Sequence, residues 1–361
     1  MRIKSMIFAV FLTAFFFTSI LAGNCSRIIH DYDLVQLQEH ENIVKVLIIG
    51  AGPAGLSAGI AAARAGFEPY IITGPSIGGL LTGSTEVENM PAIVSMPGTE
   101  IMDIMYQQAK NFGTKFIEDS VLNVDFSCWP FKVHVESGKT FNALSVVIAT
   151  GSAPRKLGIS GEREYWGRGV SSCAVCDGFM FVDRKVAVVG GGDSAVNHAL
   201  DLVPYANEIV VFVRKDRMRA VQSMRDQLNT YKNKIRVVYN KEVKGVIGDG
   251  QVMTGLMIKD VYSGEYLFEQ FDGLFLAVGQ KPNTNLFKKY IDLDNSGFID
   301  LQSRDQETNI RGVYSAGDIS SPRYRQALKA SAEGSVAAFE AVDFLREIGL
   351  TEKTFGNFFS L

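Results

Sequence analysis

Two segments of this 361-residue chain carry an apolar, β-branched run straight into a glycine-rich turn. The first is Ile43-Val-Lys-Val-Leu-Ile-Ile49, then Gly50-Ala-Gly-Pro-Ala-Gly55, then an alanine-rich stretch from Leu56 to Ala65 that reads as a helix ending at Gly66. The second is Lys185-Val-Ala-Val-Val189, followed by Gly190-Gly-Gly-Asp-Ser-Ala195. Strand, tight turn and helix is how a doubly wound α/β unit begins. Two such beginnings predict two Rossmann-like nucleotide-binding domains.

In the first loop Gly50 permits the turn, Gly52 lets backbone approach a pyrophosphate, and Gly55 lets the helix pack on the strand. Pro53 and Ala54 lie between the last two glycines, and the helix N-terminus that follows supplies aligned N–H groups to the anion. The next strand, Pro69 to Gly74, lacks the terminal acid that usually holds a ribose. Thr73 and the run Gly74-Pro-Ser-Ile-Gly78-Gly79 offer a hydroxyl and N–H groups instead. In the second loop Gly190, Gly192, Asp193 and Ser194 repeat the pattern, and Ala195 takes the place of the third glycine. Its partner strand, Glu208 to Val213, runs into Arg214 and Lys215 with Arg219 close behind. Basic side chains there pair with a 2′-phosphate, which favours NADPH over NADH, although Asp216 among them also suits a solvated strand end.

Between the loops stands Cys173-Ala-Val-Cys176-Asp177-Gly178. A Cys-x-x-Cys pair can form and break a disulfide without unfolding anything. Asp177 beside it can give a proton to a leaving thiolate or take one from an attacking thiol; capping a turn before Gly178 is the structural alternative. Two dinucleotides and one dithiol suggest electrons passing from a nicotinamide to a flavin and on to a disulfide. Near the carboxyl end, Gly312 to Asp318 reads as a short strand. Arg325-Gln326-Ala327 opens a helix of small residues whose N-terminus could stabilise the charge of a reduced flavin.

Composition closes other routes. A formal net charge of -3, with 47% hydrophobic and 21% charged residues, gives no field that would gather nucleic acid. Four cysteines are too few for a disulfide framework, and Cys25 and Cys128, isolated in sequence, are expected to be free thiols. Four histidines (His30, His40, His134, His198) without metal-ligand spacing make zinc a poor fit, so no metal is expected. Arg2 and Lys4 precede an uncharged apolar stretch, residues 6–22, so residues 1–23 read as a signal peptide or membrane anchor and 24–42 as a tether. Membrane association would run only through residues 6–22, and the compartment stays open: secretory, organellar or membrane with the leader, cytoplasmic if the start is mis-assigned.

Together these residues resemble the low-molecular-weight, bacterial-type thioredoxin reductases, the class II pyridine nucleotide-disulfide oxidoreductases. The motifs are Gly50 to Gly55, Thr85-Glu-Val-Glu-Asn89, Ala149-Thr150-Gly151, Cys173 to Gly178, Gly190 to Ala195, Gly317-Asp318 and Arg325-Gln326-Ala327. The resemblance implies a split FAD domain, residues 43–155 and 283–348, with an inserted NADPH domain, 156–282, carrying the dithiol, a tail at 349–361, and a homodimer. It implies FAD contacts from Thr73 through Leu80, at Asn89, and from Asp318 through Ala327. Cys176 would face the flavin, Cys173 would exchange with a thioredoxin or thioredoxin-like protein, and Asp177 would serve as acid and base. Leu80 replaces a glutamine common in relatives, and Val213 and Lys215 alter the usual His-Arg-Arg run. Two other readings have named discriminators. A flavin-dependent dithiol oxidase of the same fold would not need the second loop, and an anchored nucleotide-binding redox sensor would be indifferent to loss of Cys176.

Overall fold

The computed structural model describes residues 42–351, apart from Thr85 and Pro322. The expected leader, and the tail beyond residue 351, therefore lie outside the described residues. Among the described residues no helix is long and apolar enough to cross a membrane.

The Ile43–Ile49 run forms the strand its composition calls for, and Val46, Leu47 and Ile48 are fully buried. Each such side chain contributes roughly 1.5–3 kcal/mol by leaving water. The strand pairs in parallel with Tyr70–Ile72 on one side and Thr140–Ile148 on the other. The whole seven-stranded sheet runs in the order Lys115–Ile117, Tyr70–Ile72, Ile43–Ile49, Thr140–Ile148, Phe131–Val135, Val121–Asp125, with Val313–Ser315 alongside the end of Thr140–Ile148. The helix Ala327–Glu347 packs on Pro53–Arg64 because its small residues allow it. A Cβ on Gly334 would lie 2.0 Å from the carbonyl oxygen of Ala54. The stripe of small residues is thus a helix-to-helix contact.

The second sheet is five-stranded and wholly parallel: Ile235–Tyr239, Glu208–Val213, Lys185–Val189, Gly273–Leu276, Val170–Ser171. Its faces carry separate apolar cores, one centred on Val188, Leu202 and Phe275, the other on Phe212, Phe271 and Leu274. A three-stranded antiparallel sheet, Lys241–Gly248, Met253–Asp260 and Tyr266–Gln270, covers the second. Between the seven-stranded and the five-stranded sheet the chain crosses as a two-stranded antiparallel ribbon, Gln280 opposite Pro154 and Pro282 opposite Ser152. The α/β architecture with two Rossmann-like sheets is the one the glycine turns implied.

Two local expectations change. The helix after the Gly50 turn begins at Pro53, earlier than Leu56, because proline at the first helical position costs no hydrogen bond there. Cys128 is disulfide-bonded and is not a free thiol: isolation in sequence says nothing about neighbours in space. Cys25 lies outside the described residues.

Candidate functional site

A cleft of about 940 Å³ opens where the carboxyl ends of the first sheet face the dithiol. On one side stand Gly50, Gly52, Pro53 and Ala54, then Thr73, Gly74, Gly79, Leu80 and Asn89, then Ala149, Thr150 and Gly151. Gly317, Asp318, Arg325, Gln326 and Ala327 close the same wall, and Cys173, Cys176 and Asp177 form the opposite one. Residues far apart in sequence are tied together here: Asn89 Nδ2 donates to Gln326 Oε1 at 2.9 Å. Two expected contacts stand back from the cleft. Gly78 donates its N–H to the Ala51 carbonyl, and Gly55 packs so tightly that a Cβ would lie 1.8 Å from the Gly50 oxygen.

The wall has the chemistry of a dinucleotide site. The Pro53–Arg64 helix starts at Gly52 with no side-chain cap and no acid in its first turn, so its leading N–H groups and positive end are left for an anion. Gly50, at φ +110, makes the turn that brings the chain there, and a Cβ on it would strike Ala149 O at 2.5 Å. The Thr73 hydroxyl gives its proton to the Gly74 carbonyl at 2.9 Å, which leaves it an acceptor toward the cleft. These residues fit an adenine dinucleotide such as FAD. Burial pushes the Asp318 carboxyl upward in pKa, while Arg325 and Lys329 pull it back.

The dithiol sits on the one-turn helix Ala174–Asp177. Cys173 and Cys176 are joined in a disulfide, with Cα atoms 5.2 Å apart. Cys176 N–H points at Cys173 Sγ from 3.2 Å. The Asp177 carboxylate caps neither this helix nor the short turn of helix after it. Instead it accepts from the Ser171 hydroxyl at 2.5 Å. Burial raises the Asp177 pKa, and the Ser171 hydrogen bond opposes that rise. A carboxyl in this setting, next in sequence to Cys176, has the chemistry to take up and give back a proton.

The second loop lies on the other side of the dithiol unit. The helix Asp193–Leu202 starts at Gly192, again without a side-chain cap, and packs against the dithiol turn. Gly190, at φ +156, closes the turn beneath it, with Ala195 buried below; Ser194 stays exposed at the helix start. The acid in its first turn is engaged elsewhere, since Asp193 accepts from Val221 N–H at 2.9 Å. Arg219 N–H reaches the Gly191 carbonyl, which holds the basic segment against the loop. Arg214 and Lys215 follow the strand end, and Arg214 Nε lies 3.8 Å from Glu242. The set suits a phosphorylated dinucleotide held apart from the first cleft. Among the described residues no cluster of His, Cys, Asp and Glu could hold a metal ion.

Sequence reasoning missed Ser171, Asn283 and Tyr205, all of which line the cleft. Asn283 Nδ2 donates to Thr150 O at 2.8 Å, and Thr150 Oγ1 returns a hydrogen bond to Asn283 O. None of the three belongs to a glycine or cysteine pattern. Only the fold brings them there.

Residues 44–334 match the family model described as pyridine nucleotide-disulphide oxidoreductase. The chain is 43% identical over 307 residues to a thioredoxin reductase of Rickettsia prowazekii, covering 84% of this chain and 98% of that one. It superposes on the thioredoxin reductase of Giardia duodenalis with a TM-score of 0.80 at 36% identity, covering 85% of this chain and all of the other. A Lactococcus lactis thioredoxin reductase, described in its FR conformation, matches at 32% identity over 84% of this chain and 99% of that one, but its TM-score is 0.59.

Proposed function

Because the chain belongs to the pyridine nucleotide-disulphide oxidoreductase family, as a thioredoxin reductase of the low-molecular-weight type, we propose that the Cys173–Cys176 disulfide is its outlet for electrons. The enzyme is an NADPH-dependent flavoprotein that reduces a thioredoxin or thioredoxin-like disulfide. NADPH, a proton and the partner disulfide yield NADP and two thiols. One observation supports the placement of the site above others: the disulfide lines the same cleft as the Gly50 turn and the Gly317 and Arg325 segments. Bound FAD supplies a two-electron carrier between nicotinamide and sulfur.

Each residue group then has a task. Gly50 to Gly55 hold the pyrophosphate of FAD at a helix start, with Thr73 to Leu80, Asn89, Ala149 to Gly151, Gly317, Asp318 and Arg325 to Ala327 around the rest. Gly190 to Ala195 hold the NADPH pyrophosphate, and Arg214, Lys215 and Arg219 hold its 2′-phosphate. Cys176 faces the flavin and Cys173 exchanges with the partner. Asp177 takes the proton of the attacking thiol and returns one to the leaving thiolate.

A dithiol enclosed in this cleft cannot meet a protein disulfide, so the unit of residues 156–282 must turn against the unit of 43–155 and 283–348. The ribbon at Ser152–Pro154 and Gln280–Pro282 is the pivot. The contrast in TM-scores supports this: similar identity and coverage with poorer superposition is what rotation of one rigid unit produces.

The reading extends to a homodimer and to a cleavable leader or anchor at residues 1–23, which would carry the catalytic body across a membrane. Exposed apolar side chains at Val94, Ile104 and Phe112 on the flavin unit support the first. Sedimentation would test the dimer. Amino-terminal sequencing of the native protein would test the leader.

The deciding experiment is anaerobic. NADPH should bleach the yellow enzyme, and oxidised bacterial thioredoxin should then gain thiols. Cys173→Ser and Cys176→Ser should each bleach yet lose at least about a thousandfold in thiol production. Enzyme that NADPH leaves yellow would instead favour the dithiol oxidase.

A further inference from the structure

Ser171 belongs to none of the motifs, yet it is buried at the centre of the dithiol chemistry. It ends the two-residue strand Val170–Ser171, paired in parallel with Leu274 and Phe275 at the edge of the second sheet. Its Oγ lies 2.5 Å from Asp177 Oδ2, 3.0 Å from Cys173 N and 3.5 Å from Cys173 O. A hydroxyl has one proton to give and lone pairs to receive with. Cys173 N–H can only donate, so it takes a lone pair, and the proton goes to the shorter contact, Asp177.

We propose that Ser171 is a positioning residue for disulfide reduction, fixing the Asp177 carboxylate beside Cys173 and keeping that carboxylate able to accept the thiol proton. The proposal rests on the disulfide-reductase reading above and adds to it a residue that acts through Asp177. Two opposed influences act on that carboxyl, burial and the Ser171 hydrogen bond, and no charged side chain contributes. The small cavity beside it is walled by Gly83, Gly167, Met180 and Phe181; Tyr205 packs across Gly178, Arg325 reaches the Ser172 carbonyl, and the dithiol itself is the remaining titratable neighbour. Without the hydroxyl, burial alone would govern, and a carboxyl held protonated cannot receive a proton from Cys173. The N–H that Ser171 accepts also polarises its O–H, which strengthens the hold on Asp177. Both partners lie in the same unit as the dithiol, so the pair travels with it whichever way the units turn.

The test is the pH profile of thioredoxin reduction by the FAD-loaded enzyme, with NADPH and a bacterial thioredoxin, from about pH 6 to about pH 9. Ser171→Ala should lose roughly tenfold at the acid end, with the deficit narrowing as pH rises, because Asp177 then ionises only at higher pH. Ser171→Thr should keep the wild-type profile, and adding Ser171→Ala to Asp177→Asn should change nothing further. Bleaching by NADPH, which does not use the disulfide, should be unaltered in every variant and certifies that each is folded. A Ser171→Ala profile parallel to wild type, or a Thr variant that behaves like Ala, overturns the proposal alone. Wild-type enzyme that bleaches but makes no thiols overturns the reductase reading and the proposal with it.

Discussion

Arg325 Nη2 donates to the main-chain carbonyl of Ser172 at 3.4 Å, across 153 residues of sequence. The donor stands just before the long carboxyl-terminal helix, in the flavin unit, and the acceptor is the residue preceding Cys173. The hydrogen bond therefore joins the segment that carries the dithiol to the segment that closes the cleft. The proposed turn of one unit on the other would break it.

Replacing Arg325 with Met should weaken the dithiol-facing arrangement. One hydrogen bond is worth about 1 kcal/mol net, which is a population shift of about fivefold. Iodoacetamide should label the reduced dithiol faster by that factor, with FAD content measured in parallel. Unchanged labelling would show that Arg325 serves the cofactor alone.

The basic strand end makes a selectivity prediction. Arg214→Ala combined with Lys215→Ala should raise KM for NADPH at least about tenfold and leave KM for NADH nearly unaltered, since only NADPH carries the 2′-phosphate. Equal losses for both nucleotides would place the phosphate elsewhere.

Gly334→Ala should destabilise, against the ordinary sign. Alanine gains about 1 kcal/mol over glycine in a helix. Here its Cβ would meet the Ala54 carbonyl oxygen at 2.0 Å, and backbone on both sides resists moving. Overpacking of this kind costs about 1–3 kcal/mol or more, so the Tm should fall. A rise in Tm would mean that the two helices separate freely.

His198 sets an acid limit on stability. It is buried on the Asp193–Leu202 helix, its Nδ1 has no hydrogen-bond partner, and burial, aided by the Arg325 charge, pushes its pKa down to about 4. The unfolded histidine titrates near 6.5, so between there and about pH 4 the unfolded chain binds a proton that the folded one refuses. Stability should fall by about 3 kcal/mol from His198 as pH drops through that window, and level off below it. His198→Gln should flatten this part of the curve in denaturant titrations at several pH values.

Much of this was legible because the glycine turns are local devices. Gly50 to Gly55 and Gly190 to Ala195 announce strand, turn and helix from neighbouring residues alone, and Cys173 and Cys176 announce their bond by spacing. The contacts that tune the site are not local. Ser171 reaches Asp177 because a sheet edge holds it there, and Arg325 reaches Ser172 only when two units meet. The antiparallel strands Val121–Asp125 and Phe131–Val135 were equally silent, since neither carries a cofactor motif. Cys128 had no sequence neighbour to reveal that it is bonded.

The paired segments Ser152–Pro154 and Gln280–Pro282 limit what the molecule can do mechanically. A single covalent strand between two bodies would let them wander, whereas two strands laced side by side behave as a torsion strap, soft in twist and stiff against splaying. Such a strap confines the swing to nearly one degree of freedom. On the proposed function the sulfurs would then commute between two fixed stations, with turnover set by how quickly the strap winds and unwinds.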